Sequence, residues 1–240
     1  MLAILKKELN LFFATPIGYL VIAIFLLING LFLWVFNGDF NILNAGFADL
    51  NSFFFLTPWF FIFMIPAITM RTFSDEIRLG TIEIIKTKPI SSWDLVIGKY
   101  LGSLLLILIA LLPTATYIYT LTQLAATPEN IDFGSILGSG FGLLFLASAI
   151  TAIGMFTSTI SNNQIVAFII GVTLSFFMFY GFEALGDLGI FGTYDIKNLG
   201  LYARFENLGK GVADTKDLLY FLSVTFFFLF ITKTNFDLKQ

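Results

Sequence analysis

Apolar residues fill this chain in long charge-free stretches, and the short polar breaks between them set its layout. No charge occurs from Leu9 to Gly38, and Pro16 suits the first turn of a helix, so a first span is expected over about residues 16–36, ending at Asn37-Gly38-Asp39. A second is expected over about 53–70 and a third over about 100–120. The run from Phe133 to Phe182 is long enough for two more helices, about 134–158 and 164–182, turning at Ser161-Asn162-Asn163-Gln164. The last apolar segment, 218–232, holds only fifteen residues. At 1.5 Å per residue that is about 22 Å, short of a core about 30 Å thick, so it crosses only with help from its flanks and a snorkelling Lys233. Ahead of all six, residues 1–16 set Lys6, Lys7 and Glu8 among Leu2, Ile4, Leu5, Leu9, Phe12 and Phe13, the pattern of an amphipathic helix lying in the interface. A signal peptide fits less well, because the apolar run is too long and no small-residue cleavage site follows it.

The expectation is an all-α, polytopic membrane protein: one transmembrane domain, 1–240, of six helices with an N-terminal interfacial helix. Composition agrees, with 58% hydrophobic residues, 12% charged and a mean hydropathy of +0.90, too little polar surface to cover a soluble globule. Neither Cys nor His occurs, which excludes disulfides, thiol chemistry and Ser-His-Asp catalysis and removes the commonest metal ligands. Lys and Arg assign the sides. With alternating spans, one side receives two in the N-terminus, five in the loop 71–99 and two in the tail, while the other receives none in its two short loops and four in the long segment 183–217. Both termini and the loop 71–99 are therefore expected in the cytoplasm, and 183–217 outside it.

Residues 71–99 carry nine charges, five basic and four acidic. At roughly 2.5–3.5 kcal/mol each, burying them at mid-bilayer would cost on the order of 20 kcal/mol or more, so the loop is expected in water. Ser74 is placed to cap a helix opening with Asp75 and Glu76, Gly80 to break it, Thr81 to start another turn, and Pro89 to end that turn. Ser91, three residues before Asp94, resembles a start signal for the helix that follows. Such a helix-break-helix element suits docking on a soluble partner; an ordinary solvated helical loop has the same pattern.

Arg71, Glu76, Gly80, Thr81, Glu83, Pro89 and Lys99 resemble the pattern that follows the second span in permeases of the ABC-2 transporter type, and residues 58–71 are similar to the gliding-motility (GldF) type of that family. The similarity extends to the closing stretch 204–221. This resemblance implies a permease whose loop 71–99 contains the coupling helix for a separate ATPase. ATP and Mg are then bound by that partner, with no cofactor in this chain. It further implies a second permease subunit, identical or different, a bacterial inner membrane with both termini cytoplasmic, export, and a role in gliding motility. No nucleic-acid partner is expected.

Pro58, Pro66 and Pro113 lie inside expected spans and predict kinks, which serve a transport path or reflect irregular packing. Gly134, Gly138 and Gly142, four apart, predict a face for close approach of another helix, in this subunit or its partner. Glycine-rich residues 138–142 lack the lysine of a phosphate loop. An ion- or proton-coupled carrier would place ionisable groups within the spans, and the expected interiors hold none, although Asn29, threonines and broken-helix backbone remain available to sodium. A channel or a non-transporting anchor of a motility or secretion assembly leaves the patterned loop unexplained. An intramembrane enzyme has almost no candidate base.

Overall fold

A computed structural model describes the chain except residues 45, 47–48, 87–88, 126–130, 189–195, 212–213 and 239–240, and the side chains of 84–86. Among the described residues all regular structure is helical. Helix α1 (Leu2–Ala14) turns sharply at Thr15 into α2 (Pro16–Gly30), which continues as a π-turn over Leu31–Val35. The elbow is tight enough that a Cβ at Gly18 would stand 2.7 Å from the Phe12 carbonyl oxygen. Next come α3 (Asn51–Thr69), α4 (Arg71–Arg78) and the short α5 (Thr81–Lys86). Helix α6 (Ser92–Leu111) passes through a 3₁₀ turn at Leu112–Thr114 into α7 (Ala115–Leu124). Helix α8 (Phe133–Ile160) is followed by α9 (Gln164–Phe176), which runs through a second π-turn at Phe177–Gly181 into α10 (Phe182–Asp187). Helices α11 (Leu201–Gly209) and α12 (Thr215–Leu238) close the chain.

Six of these segments are long and apolar enough to cross a membrane: 16–35, 51–78, 92–124, 133–160, 164–187 and 215–238. Helix α8 is the central post, packed against α3, α4, α6, α9, α11 and α12. Its middle, from Leu146 to Met155, contains Ala147, Ala149, Ile150, Ala152 and Ile153 with no exposed surface. Small side chains on this face let neighbours close in, as where Gly154 lies against Thr69 of α3.

The cap expected at Ser74 needs correction. The last apolar segment is joined by its flanks, giving α12 24 residues, about 36 Å of helix. Its polar ends are accommodated by pairing, Asp217 with Arg204 at 2.7 Å and Lys233 with Asp237 at 2.6 Å. Ser74 caps nothing: α3 and α4 run on with only a one-residue turn at Met70, and the buried Ser74 hydroxyl donates back to the Met70 carbonyl. A helix already nucleated propagates until something stops it, and no breaker stands between Pro66 and Gly80. Helix α6, which opens the third span, starts at Ser92, where the Ser91 hydroxyl accepts from Trp93 N at 3.2 Å, the start that Ser91 marks in the sequence.

One end of the bundle gathers Met1, α4, the start of α6, the α8–α9 turn and the end of α12. Ser92 donates to Asp237 at 2.7 Å, Asn235 to Thr159 at 2.9 Å, and Gln164 to Asp75. This is called the near end. The far end holds the turns around Asn41, the start of α8, and α11.

Candidate functional site: a braced helix-break-helix element at the near end

Helix α4 ends at Leu79–Gly80, where the glycine takes φ +67° and its N–H reaches the Ile77 carbonyl at 3.2 Å. That left-handed conformation suits glycine and strains any side chain, so Gly80 is the stop the sequence suggests. Helix α5 begins at once with Thr81, whose hydroxyl donates to the Glu76 carbonyl at 3.4 Å. Leu79 is 68% exposed, and Arg78, Glu83 and Pro89 are exposed as well. An apolar Leu79 between charged neighbours presents a mixed surface to whatever lies beyond this end.

The other three loop residues singled out in the sequence go elsewhere. Lys99 lies seven residues inside α6 with a side chain 1% exposed, and its ammonium donates to Glu8 Oε1 at 3.0 Å and to the Thr72 carbonyl at 2.7 Å, with Glu76 Oε1 at 2.9 Å. Lys7 reaches the same Glu76 oxygen at 3.0 Å. Burial alone would lower the Lys7 pKa, but its hydrogen bond to Glu76 and the charges of Glu76 and Glu8 hold it above the usual lysine value. Arg71 lays its guanidinium over the Phe12 ring, 4.7 Å from the centroid. The expectation that the whole loop 71–99 sits in water is thus corrected. Its two ends turn inward beneath α1, where pairing with Glu8 and Glu76 offsets the cost of desolvating Lys99 and Arg71 rests on Phe12.

The sequence reading missed Glu8, which it set on the polar side of an interfacial helix. Spacing carries the missing signal: Ile4, Glu8 and Phe12 are four apart and share one face of α1. That face meets α6 at Gly98 and Gly102, where an added Cβ would come within 2.9 Å of Ile4 Cβ and 2.7 Å of Glu8 Cβ. Two glycines one turn apart therefore let α1 lie directly on α6.

The remaining candidates fall elsewhere. Pro58 and Pro66 are buried within α3, Pro66 against Gly171 of α9, and Pro113 occupies the 3₁₀ turn between α6 and α7. Pro58 also lines a cavity of about 230 Å³ between α3, α8 and α11, with Phe54, Phe179, Tyr202 and Phe205. Gly138 and Gly142 face α11 of the same chain, Gly138 against the Leu208 backbone and Gly142 against the Phe205 ring, which an added Cβ there would approach to 2.9 Å. Among the described residues, a Cβ at Gly134 would meet only Asp132. No group of three or more His, Cys, Asp or Glu placed to hold a metal occurs among the described residues.

These features define a multi-pass, all-α membrane protein with a solvent-facing helical element braced between its second and third spans. Residues 39–188 match the model of the ABC-2 family transporter proteins. The match covers the second through fifth spans and the braced element, more than half of the chain, and the chain belongs to this family, as an ABC transporter permease subunit. The closing stretch 204–221 lies outside the matched region. No curated protein matches the chain.

Proposed function

We propose that this permease couples ATP hydrolysis by a separate ATPase to export, with α4 and α5 as the surface on which the ATPase docks. The observation that carries this reading is mechanical. An exposed helix-break-helix is rooted through Glu76, Arg71 and Lys99 in α1 and α6 and runs on from α3 at Met70, so a push on its tip is delivered to α1, α3 and α6 together. On this reading the near end is cytoplasmic, with both termini there, and the far end with α10 and α11 faces outward across the bacterial inner membrane. The excess of basic residues at the near end supports that orientation. ATP and Mg are held by the ATPase, and a second permease subunit, identical or different, completes the path. A role in gliding motility rests on the resemblance of residues 58–71.

A sodium-coupled carrier is the second reading, favoured by Asn29 in the first span, wholly buried with its Oδ1 unpartnered. The docking reading has more support, since a carrier leaves the exposed break at Leu79–Gly80 unexplained.

The test is recruitment. Gly80→Val forces a branched side chain into a positive-φ position with open space around it, so it perturbs the break without disturbing packing. Glu83→Lys reverses an exposed charge. Both variants should insert and assemble normally, yet pull down the ATPase about tenfold less well or lose transport-coupled hydrolysis. Wild-type recruitment and coupling in both would overturn the docking reading.

A further inference from the structure

The braced element contains a mismatch that pairing for stability does not explain. Arg71 Nε and Nη2, the two nitrogens that form the guanidinium's carboxylate-binding fork, are buried without a hydrogen-bond partner, and so is Glu76 Oε2. Buried polar atoms are nearly always satisfied, and a donor pair left orphaned beside acids marks either stored strain or a second arrangement. Acids are at hand. Asp75 and Glu8 both act on the Arg71 charge, but Asp75 is already engaged by Arg78 at 3.0 Å and by Gln164. Glu8 sits one turn along α1 from Phe12, the ring on which Arg71 rests.

We infer that Arg71 is a second station for Glu8: the carboxylate paired here with Lys99 pairs with the Arg71 fork in the transporter's other state. Glu8 is then a positioning residue, lying outside the docking surface and setting how α1 is seated against α4 and α6. The exchange leaves Lys99 held by Glu76 and the Thr72 carbonyl, so neither cation is abandoned in the interior. It moves α1 along its axis by about one turn, on the order of 5 Å, which pulls on α2 through the tight elbow at Thr15–Gly18. Movement at the docking element would thereby reach the first span, which meets α4 through no other paired charge among the described residues. This inference rests on the docking reading.

The chain has no cysteine, so paired spin labels are easily placed. Cysteines at Leu11 and Leu79, both exposed, report the distance between α1 and the break. The complex is purified through a tag on this chain and measured without nucleotide and after trapping with Mg-ATP and vanadate. In wild type the distance should change by on the order of 5 Å between the two conditions. In Arg71→Gln the change should disappear and coupled turnover fall about tenfold, while the melting temperature stays near wild type, because losing the Phe12 contact is offset by removing two unpartnered buried donors. Arg71→Lys, with charge but no fork, should retain only part of the change. A wild-type complex with no change, or Arg71→Gln with wild-type change and turnover, overturns the exchange and leaves docking intact. A purified permease with no ATPase attached overturns the docking reading, and the exchange with it, before any label is read.

Discussion

Two lysines at opposite ends of this molecule each hold two carboxylates. Lys99 at the near end holds Glu8 and Glu76 at 3.0 and 2.9 Å, and Lys197 at the far end holds Glu183 and Asp187 at 3.0 and 2.6 Å. Contact geometry hardly distinguishes them. Burial does: the Lys99 side chain is 1% exposed and that of Lys197 is 38% exposed. Hydrogen bonds to Asp187 and Glu183 raise the Lys197 pKa, yet water can replace either partner. Nothing replaces them at Lys99, where losing the lysine strands Glu8 inside the protein and leaves Glu76 with Lys7 alone. The same motif is therefore a surface fastening at one end and a structural joint at the other.

Substitutions sharpen the contrast in order of expected effect. Lys99→Met leaves Glu8 buried without its cation and Glu76 held by Lys7 alone, and should cost about 3–5 kcal/mol, read as a large fall in the melting temperature of the purified permease. Gly138→Leu should cost about 1–3 kcal/mol, because its side chain would press into the backbone of α11 at Leu208. Gly140→Leu, two residues away with nothing within 4 Å, should be neutral and so shows whether the face, and not the helix as such, carries the effect. Lys197→Ala should leave the melting temperature unchanged. A Lys197→Ala loss as large as that of Lys99→Met would erase the distinction between the two ends.

The spans were legible because apolar runs of 20 residues have little else to be. What the sequence hid were the places where polar residues enter the protein in company. The last span looked short because Asp217 and Lys233 read as boundaries, yet each has a partner, Arg204 thirteen residues upstream or Asp237 one turn on, that lets the helix continue past it. Lys99 read as a loop residue for the same reason: its partner Glu8 lies 91 positions away, and no local pattern announces a pairing at that separation. Gly80 was easier, since a glycine that stops a helix acts on its own backbone. Of the loop residues singled out, Glu76 and Lys99 pair beneath α1 and Arg71 rests on the Phe12 ring of that helix, whereas Gly80, Thr81, Glu83 and Pro89 form the outer break. Only the whole fold separates the brace from the surface it supports. Similarly, the glycine face of α8 announced a close neighbour without indicating that α11, a short helix between spans, supplies it at Gly138 and Gly142.

The central claim is that the ATPase sits on the break between α4 and α5. A photo-crosslinking residue at Leu79, 68% exposed at that break, addresses it directly, with Leu199, 51% exposed near the far end, as the control. In the complex purified from native membranes, illumination should join the Leu79 position covalently to the ATPase and leave Leu199 unjoined to it. An ATPase adduct at Leu199, or a complex that retains the ATPase yet gives no adduct at Leu79, would contradict the account.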